Sequence, residues 1–360
     1  MKKFLSLMLV AMMVVALAAC GGSSAPAASA PAASAPAAST PAAPAASSDA
    51  TVSYDKTTIT LAHGAAETTS MNSAALKFEE LVEAASNGDI QVELYPNQQM
   101  GGDREYSEAV SQGNLSMGAP STSNIVTLCP TLYVFDAPFI FTDREKLYAA
   151  LDGPTGQKLL DAVREGGLQG LGYWENGFRE LTTNKEIKTL ADLKGVKIRV
   201  MENEVHLAIW SALGANPSPL AFGEVYQALQ TKTFDAQENP LELIYNTKFY
   251  EVQPYVYMTN HIYTAYIAHI GAAEFDGYNA DTQALLKDCM MQSMEYQRGL
   301  CKQAEADCMA KVNESGVSNT YDVDAALLGE IKGALGDVYD LVKERSGNPD
   351  LVEEWYALAK

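Results

Sequence analysis

The chemically capable side chains of this chain fall outside every familiar catalytic spacing. There is no G-x-S-x-G elbow, no H-E-x-x-H, no Walker A loop and no C-x-x-C pair. The four histidines, His63, His206, His261 and His269, are scattered, so no metal-like cluster forms with the cysteines. Cys301 and Cys308 fall seven residues apart within a helical pattern, about 10 Å of rise, which is too far for a disulfide. With Cys129 and Cys289 they read as packing thiols. Residues 167–172, Gly-Leu-Gln-Gly-Leu-Gly, are glycine-rich, but they lead into a strand instead of opening a helix, so they do not cradle a dinucleotide. Glu202 and Glu204 carry the groups for acid–base work, yet in so acidic a chain they read as solvated surface. Arg199 lies in an alternating run in which Val196, Ile198 and Val200 share one face and Lys197 and Arg199 the other. On periodicity alone both cations face solvent. A guanidinium is nonetheless well suited to hold a carboxylate, because it stays charged and its fork matches the two oxygens.

The whole-chain charge narrows the partners. Among 360 residues, 25 Lys+Arg stand against 45 Asp+Glu, a net charge of −20. A nucleic-acid binder needs a basic footprint, and docking on anionic lipid through side chains needs clustered Lys and Arg. The first residues form a separate device. Lys2 and Lys3 precede an apolar run, 4–17, broken by Ser6 and followed by Leu17-Ala18-Ala19-Cys20. Basic, apolar, then small residues read as a secretory signal over 1–19, and the Cys after Leu-Ala-Ala resembles a bacterial lipobox. That resemblance implies cleavage before Cys20 and a diacylglyceryl thioether on its sulfur. Residues 20–50 continue as an Ala/Pro/Ser tract whose five-residue unit starts at Ser24, Ser29, Ser34 and Ser39. With no large apolar side chain it cannot build a core. As extended polyproline II its thirty residues reach on the order of 90 Å. The expectation is a body leashed to the outer face of a membrane.

Beyond residue 50 the periodicity alternates between two and 3.6. Strands are expected at 57–63, 90–94, from Leu115 and Met117, and at 168–174 and 196–201. Helices are expected at 70–86, 103–112, 203–213 and 223–230. Residues 255–270 form a long aromatic, β-rich stretch. This order predicts an α/β protein with mostly parallel sheets. From Asp281 to about Asn313 an apolar stripe holds helical spacing through Leu285, Cys289, Met294, Gln297, Cys301 and Cys308. A break near Gly299 would give two helices. An unbroken rod of about 45–50 Å would cross two domains, and that is the reading adopted. Helices over 323–345 and 350–358 close the chain.

Several segments, in order, carry a family resemblance. They are Tyr95-Pro96-Asn97 with Gly101-Gly102-Asp103-Arg104, Phe135-Asp136-Ala137-Pro138-Phe139, and Leu151-Asp152-Gly153-Pro154. They continue with residues 172–179 (Gly-Tyr-Trp-Glu-Asn-Gly-Phe-Arg), 192–200 (Asp-Leu-Lys-Gly-Val-Lys-Ile-Arg-Val), 213–217, 224–229 and Gln237-Glu238-Asn239-Pro240. With Phe249-Tyr250-Glu251-Val252 they cover nearly all of 57–320, and they resemble the DctP-type solute-binding proteins of TRAP transporters. The resemblance implies a two-domain periplasmic-binding-protein-like fold with crossing strands and a long helix spanning both domains. The implied domains are 51–176 with about 265–304, and 177–264 with about 305–360. Hinges are expected near 175–179 and within 255–270.

The same resemblance implies capture of a small organic carboxylate in the interdomain cleft and delivery to the small and large subunits of an ion-coupled membrane permease. No enzyme activity, cofactor or metal is implied, and a monomer is expected. An extracytoplasmic sensing module is the alternative, and a secreted hydrolase a more distant one. Residue by residue, Arg199 matches the main carboxylate anchor, Arg179 a second cationic position, and Asn239 an amide on the same carboxylate. Phe222 matches an aromatic packed on the ligand, and Asp103 an acceptor for hydroxyls. His63, Glu67, Ser121 and Asn124 fall where the first domain begins its pocket; Trp174 and Glu175 fall at the domain crossing. The uncharged Ser121 and Asn124 make sialic acid a poor fit. A sugar acid such as a hexuronate is preferred over a C4-dicarboxylate, because no second cation is evident in the first domain. Ala236 stands where the family commonly has glycine, which leaves either an ordinary backbone there or an altered loop around Asn239.

Overall fold

The computed structural model describes residues 52–360. The expected signal, lipidated Cys20 and tether lie outside these residues. The strands are β1 (Thr57–Ala62), β2 (Ile90–Tyr95), β3 (Met117–Gly118), β4 (Leu168–Thr183), β5 (Lys197–Val200), β6 (Asn216–Pro219), β7 (Ala236–Pro240), β8 (Tyr255–Met258), β9 (Tyr263–Gly271) and β10 (Asn319–Asp322). The helices are α1 (Ser70–Ala85), α2 (Asp103–Ser111), α3 (Arg144–Asp152), α4 (Pro154–Ala162), α5 (Glu204–Ala212) and α6 (Val225–Gln230), followed by α7 (Leu241–Asn246), α8 (Ala272–Gly277), α9 (Ala280–Glu314), α10 (Ala325–Gly333), α11 (Gly336–Ser346) and α12 (Pro349–Leu358).

The strands run β2-β1-β3-β9-β4-β7-β5-β6, with β8 between β4 and β10. The outer pairs are parallel: β1 with β2 and β3, β5 with β6 and β7, and β8 with β10. The crossing strands β4 and β9 are antiparallel to their neighbours. Strand β4 serves both halves. Its residues 168–178 pair with β9 in the first half, and Arg179–Thr183 pair with β7 in the second. All sixteen of its residues are buried. At about 3.3 Å per residue it is some 50 Å long, and the 35-residue α9 is some 52 Å at 1.5 Å per residue. The two lie against each other, stitched by polar contacts at their middles. The Trp174 indole donates to the Ser293 hydroxyl at 3.0 Å, and Gln297 exchanges hydrogen bonds with the Glu175 backbone.

β4 passes between halves at an irregularity. Its register with β9 shifts between Glu175 and Gly177. Gly177 has φ +122, and a Cβ there would stand 3.2 Å from Pro240 Cβ, so glycine suits both the conformation and the close approach.

Three expected elements change. The 168–174 strand continues to Thr183. The 255–270 stretch breaks into β8 and β9 around Asn260, which adopts φ +46. The 323–345 helix divides at Ala334-Leu335, where flanking Gly333 and Gly336 weaken helix propensity. The long helix is unbroken through Gly299. α12 seats Trp355 against Phe135 and Phe141, with centroids 5.1 and 4.9 Å away, so this part of the terminal segment packs on residues following β3. Cys129, Cys289, Cys301 and Cys308 are all free and buried. Among the described residues no helix is long and apolar enough to cross a membrane.

Candidate functional site

A small cavity lies between the halves, beside the β4 crossing. Arg199 reaches it from β5, Arg179 and Asn176 from β4, Asn239 from the end of β7, Leu243 from α7 and Phe222 from the turn before α6. Gly64 and Ala65 after β1, Asp103 at the start of α2, Ser121 and Asn124 after β3, and Tyr266 from β9 form the opposite wall. The cavity shares Asp103, Asn124, Arg199 and Phe222 with a wider mouth of about 510 Å³, where Glu105, Glu108, Glu202 and Glu224 stand. A second, small cavity, walled mainly by apolar side chains including those of α5 and α10, has no Arg, Lys, Asp or Glu in its lining.

The arginines are held so that part of each guanidinium is spare. Arg199, 2 % exposed, donates through Nε and Nη2 to the Leu220 carbonyl at 2.8 and 2.6 Å. Arg179, fully buried, donates through Nε to Glu238, and through Nη2 to Glu238 Oε1 at 2.9 Å and Asn239 Oδ1 at 3.2 Å. The Nη1 group of each is buried and has no hydrogen-bond partner among the described residues. An unpaired buried donor costs about 1–3 kcal/mol, more when charged. Two such donors in the wall of one cavity fit an oxyanion.

Charge counting sharpens this. Burial alone would raise Glu238, but Arg179, with hydrogen bonds from His206 and His261, holds it well below the usual carboxylate range. Arg179 is therefore neutralised by its own partner. Burial brings the Arg199 guanidinium down to about 10, with Arg179 adding repulsion. Glu238, Asp103 and Glu202 attract Arg199 from a distance, but among the described residues it has no direct ion pair, and its Nη1 is left for one carboxylate. Opposite it, Asp103 accepts from the Ser121 amide, the Asn124 side chain and the Tyr106 hydroxyl at 2.8–2.9 Å. Burial raises its pKa above the ordinary value. A carboxylate has about four acceptor positions, so three hydrogen bonds leave Asp103 one more to offer.

Of the residues singled out from sequence, Arg199, Arg179, Asn239, Phe222, Asp103, Ser121 and Asn124 line the cavity together. Asn239 does so in a different way from that expected. Its amide oxygen holds Arg179 and its nitrogen donates to Gln237 Oε1 at 2.6 Å, which aligns the arginine. Ala236 sits in β7 between β4 and β5 without a positive φ, so the backbone leading to Asn239 is ordinary.

The other four are absent from the wall. His63 is buried just beyond β1, and burial lowers its pKa to about 4; its neighbours Gly64 and Ala65 are the residues at the cavity. Glu67 points outward and accepts from Asn97 at 3.4 Å. Trp174 is core, edge-on to Phe78. Glu175 pairs with Arg144 at 3.0 Å and accepts from the Tyr148 hydroxyl. The shift after Glu175 presents Asn176 to the cavity instead. Asn176 and Tyr266 were missed; the available signal was a polar and an aromatic residue amid the small and apolar residues of crossing strands.

Crossing strands, a spanning helix and a buried arginine cavity between two halves define a ligand-capturing binding protein. The family model "Bacterial extracellular solute-binding protein, family 7", DctP, matches residues 61–344. The 2,3-diketo-L-gulonate-binding periplasmic protein YiaO of Escherichia coli is 33% identical over 289 residues, 80% of this chain and 88% of that protein. The C4-dicarboxylate-binding periplasmic protein DctP of Rhodobacter capsulatus is 35% identical over 290 residues, 80% of this chain and 87% of that protein. The sugar acid binding protein DctPAm of Advenella mimigardefordensis, solved with galactonate, superposes with a TM-score of 0.81 at 34% identity, covering 85% of this chain and 98% of that one. The chain belongs to the DctP family of extracytoplasmic solute-binding proteins. It is a binding protein of a transporter, not an enzyme.

Proposed function

We propose that this protein captures a polyhydroxylated monocarboxylate, a sugar acid, in the cavity between its halves and delivers it to a TRAP-type membrane permease. The observation that carries the reading is the pair of buried, unpaired Nη1 groups of Arg199 and Arg179 in one cavity wall. A C4-dicarboxylate needs a cation for its second carboxylate. Arg104, at the mouth, is already paired with Glu108 at 2.7 Å, and the other charged groups there, Arg199 apart, are acidic. Asp103, Ser121, Asn124 and Asn176 offer the hydrogen-bonding groups that hydroxyls need. The similarity to proteins named for galactonate and diketo-gulonate supports this reading.

The two lobes are taken as 51–176 with 265–304 and 177–264 with about 305–333, hinged at Gly177 and around residues 259–262, with α11 bracing both and α12 packed on the first. Cys20 is taken as the lipid anchor, so Cys20→Ser moves the protein from the membrane fraction to the soluble one. The test of function is a thermal-shift panel of D-galactonate, D-glucuronate, D-gluconate and succinate on the purified chain. At 100 times Kd a ligand adds about 2.7 kcal/mol of stability. A shift with a sugar acid exceeding that with succinate supports the proposal. Stabilisation by succinate alone overturns the sugar-acid assignment, and stabilisation by none of the four overturns the reading.

A further inference from the structure

α1 begins without an acidic residue of its own in its first turn, although a helix N-terminus favours negative charge. The second half supplies one. Glu242 of α7 accepts from the Ser70 backbone N–H through Oε1 and from the Ser70 hydroxyl through Oε2, both at 2.6 Å. One turn further along α7, Asn246 Oδ1 accepts from the Thr68 hydroxyl at 2.7 Å, and the Asn246 amide is held by the Glu242 carbonyl at 2.8 Å. These contacts join residues 172 and 178 positions apart in the chain, and they bridge the two walls of the cavity. The same segment faces the cavity. Asn239 and Leu243, four residues apart, line it, whereas Glu242 and Asn246, also four apart, face the first half. Pro240 opens α7 with φ −59, a rigid link between the residue that aligns Arg179 and the helix that grips α1.

We infer that Glu242 and Asn246 form a closure latch: the β7–α7 segment meets the ligand through Asn239 and Leu243, and α7 locks the first lobe through Glu242 and Asn246. Glu242 is thus a positioning residue for binding. It touches no ligand, and it favours the closed arrangement in which both walls contact the ligand at once. A ligand that meets Asn239 and Leu243 holds α7 in place, and the gripped α1 lowers the rate at which the lobes part. Burial, with Glu305 nearby, raises the Glu242 carboxyl above its ordinary value, and the two hydrogen bonds from Ser70 oppose that rise. This inference rests on the capture function proposed above.

The test uses the full chain with Gln99→Cys and Gln227→Cys, two exposed positions on opposite lobes, carrying spin labels. Glu242→Ala, Ser70→Ala and the double variant are compared with the parent. In ligand-free protein, the latch variants shift the interlobe distance distribution toward longer separations, and the double variant adds little to either single one. Titration with D-galactonate gives about ten-fold weaker binding in Glu242→Ala, carried by faster dissociation with association nearly unchanged. Glu242→Gln, which keeps the shape and one good acceptor, recovers part of the loss. Unchanged distances in all variants, or additive losses in the double variant, overturn the latch. The distance arm needs no ligand, so absence of galactonate binding in the parent counts against the capture proposal alone.

Discussion

The two walls of the cavity are built on opposite principles. The second-half wall is cationic and over-determined: Arg179 is clamped by Glu238 and Asn239, and Arg199 by the Leu220 carbonyl, so that each presents only a remaining N–H. The first-half wall has one carboxylate, Asp103, fixed by Ser121, Asn124 and Tyr106, with small polar residues and backbone around it. A fixed guanidinium recognises any carboxylate, whereas acceptors and amides discriminate what is attached to it. We propose that affinity resides mainly in the second half and selectivity in the first.

The largest effect that could break this comparison is on Arg179. Arg179→Ala removes a cavity donor and also strands Glu238, a carboxylate buried among His206, His261 and Asp136. Breaking such a pair costs about 3–5 kcal/mol. Denaturant unfolding of the ligand-free variant shows that loss. A stability within 1 kcal/mol of the parent contradicts the clamped-wall description.

Buried titratable groups outside the cavity wall give the fold an acid and an alkaline limit. In the first half, burial lowers His269 and His63 to about 4. Their unfolded forms bind protons near 6.5, so the native state loses stability as pH falls from 6.5 toward 4. In the second half, burial raises Glu180 to about 8. Its unfolded form ionises near 4.5, so stability is lost as pH rises from 4.5 to 8. Each group contributes a slope of up to about 1.4 kcal/mol per pH unit. Unfolding free energies from pH 4.5 to 8 show His269→Gln flattening the acid limb and Glu180→Gln the alkaline limb. Unchanged slopes in both refute the assignment.

The selectivity claim rests on Asp103. Asp103→Asn keeps the shape and loses an acceptor, which weakens a sugar acid by about ten-fold and spares succinate, in line with the net worth of one hydrogen bond to a charged group. Parallel calorimetric titrations of the two acids decide this. Equal losses for both place Asp103 in general support instead of selection.

These walls also differ in how well the sequence reveals them. Arg179, Arg199 and Asn239 stand in short motifs whose family order makes their roles readable. Periodicity alone placed Arg199 in solvent. It is opposite the apolar face, as alternation requires, but that second face looks into the cavity, and alternation cannot distinguish a cavity from water. Lys197, on the same strand face, is in fact exposed. On β4 every residue is buried, so alternation carries no information there. The register shift after Glu175 then exchanges Asn176 for the expected neighbour at the cavity. His63 and Glu67 show the same limit in a loop, where one residue's displacement separates wall from core. The long helix was legible because its buried stripe holds helical spacing over 35 residues. The division at Ala334-Leu335 was not, because buried Ile331, Leu335 and Val338 continue the apolar spacing across it.

The central claim is that Arg199, whose Nη1 has no partner among the described residues, holds the ligand carboxylate. Calorimetric titration of Arg199→Ala with D-galactonate, with Lys197→Ala alongside, tests it most directly. Truncating one partner of a buried, hydrogen-bonded charge pair costs about 2–5 kcal/mol, roughly a 30- to several-thousand-fold loss of affinity. Arg199 lies opposite the apolar face of β5 and has no direct ion pair among the described residues, so the variant stays folded, and Lys197→Ala changes affinity less than about two-fold. A folded Arg199→Ala that binds galactonate as the parent does contradicts the account.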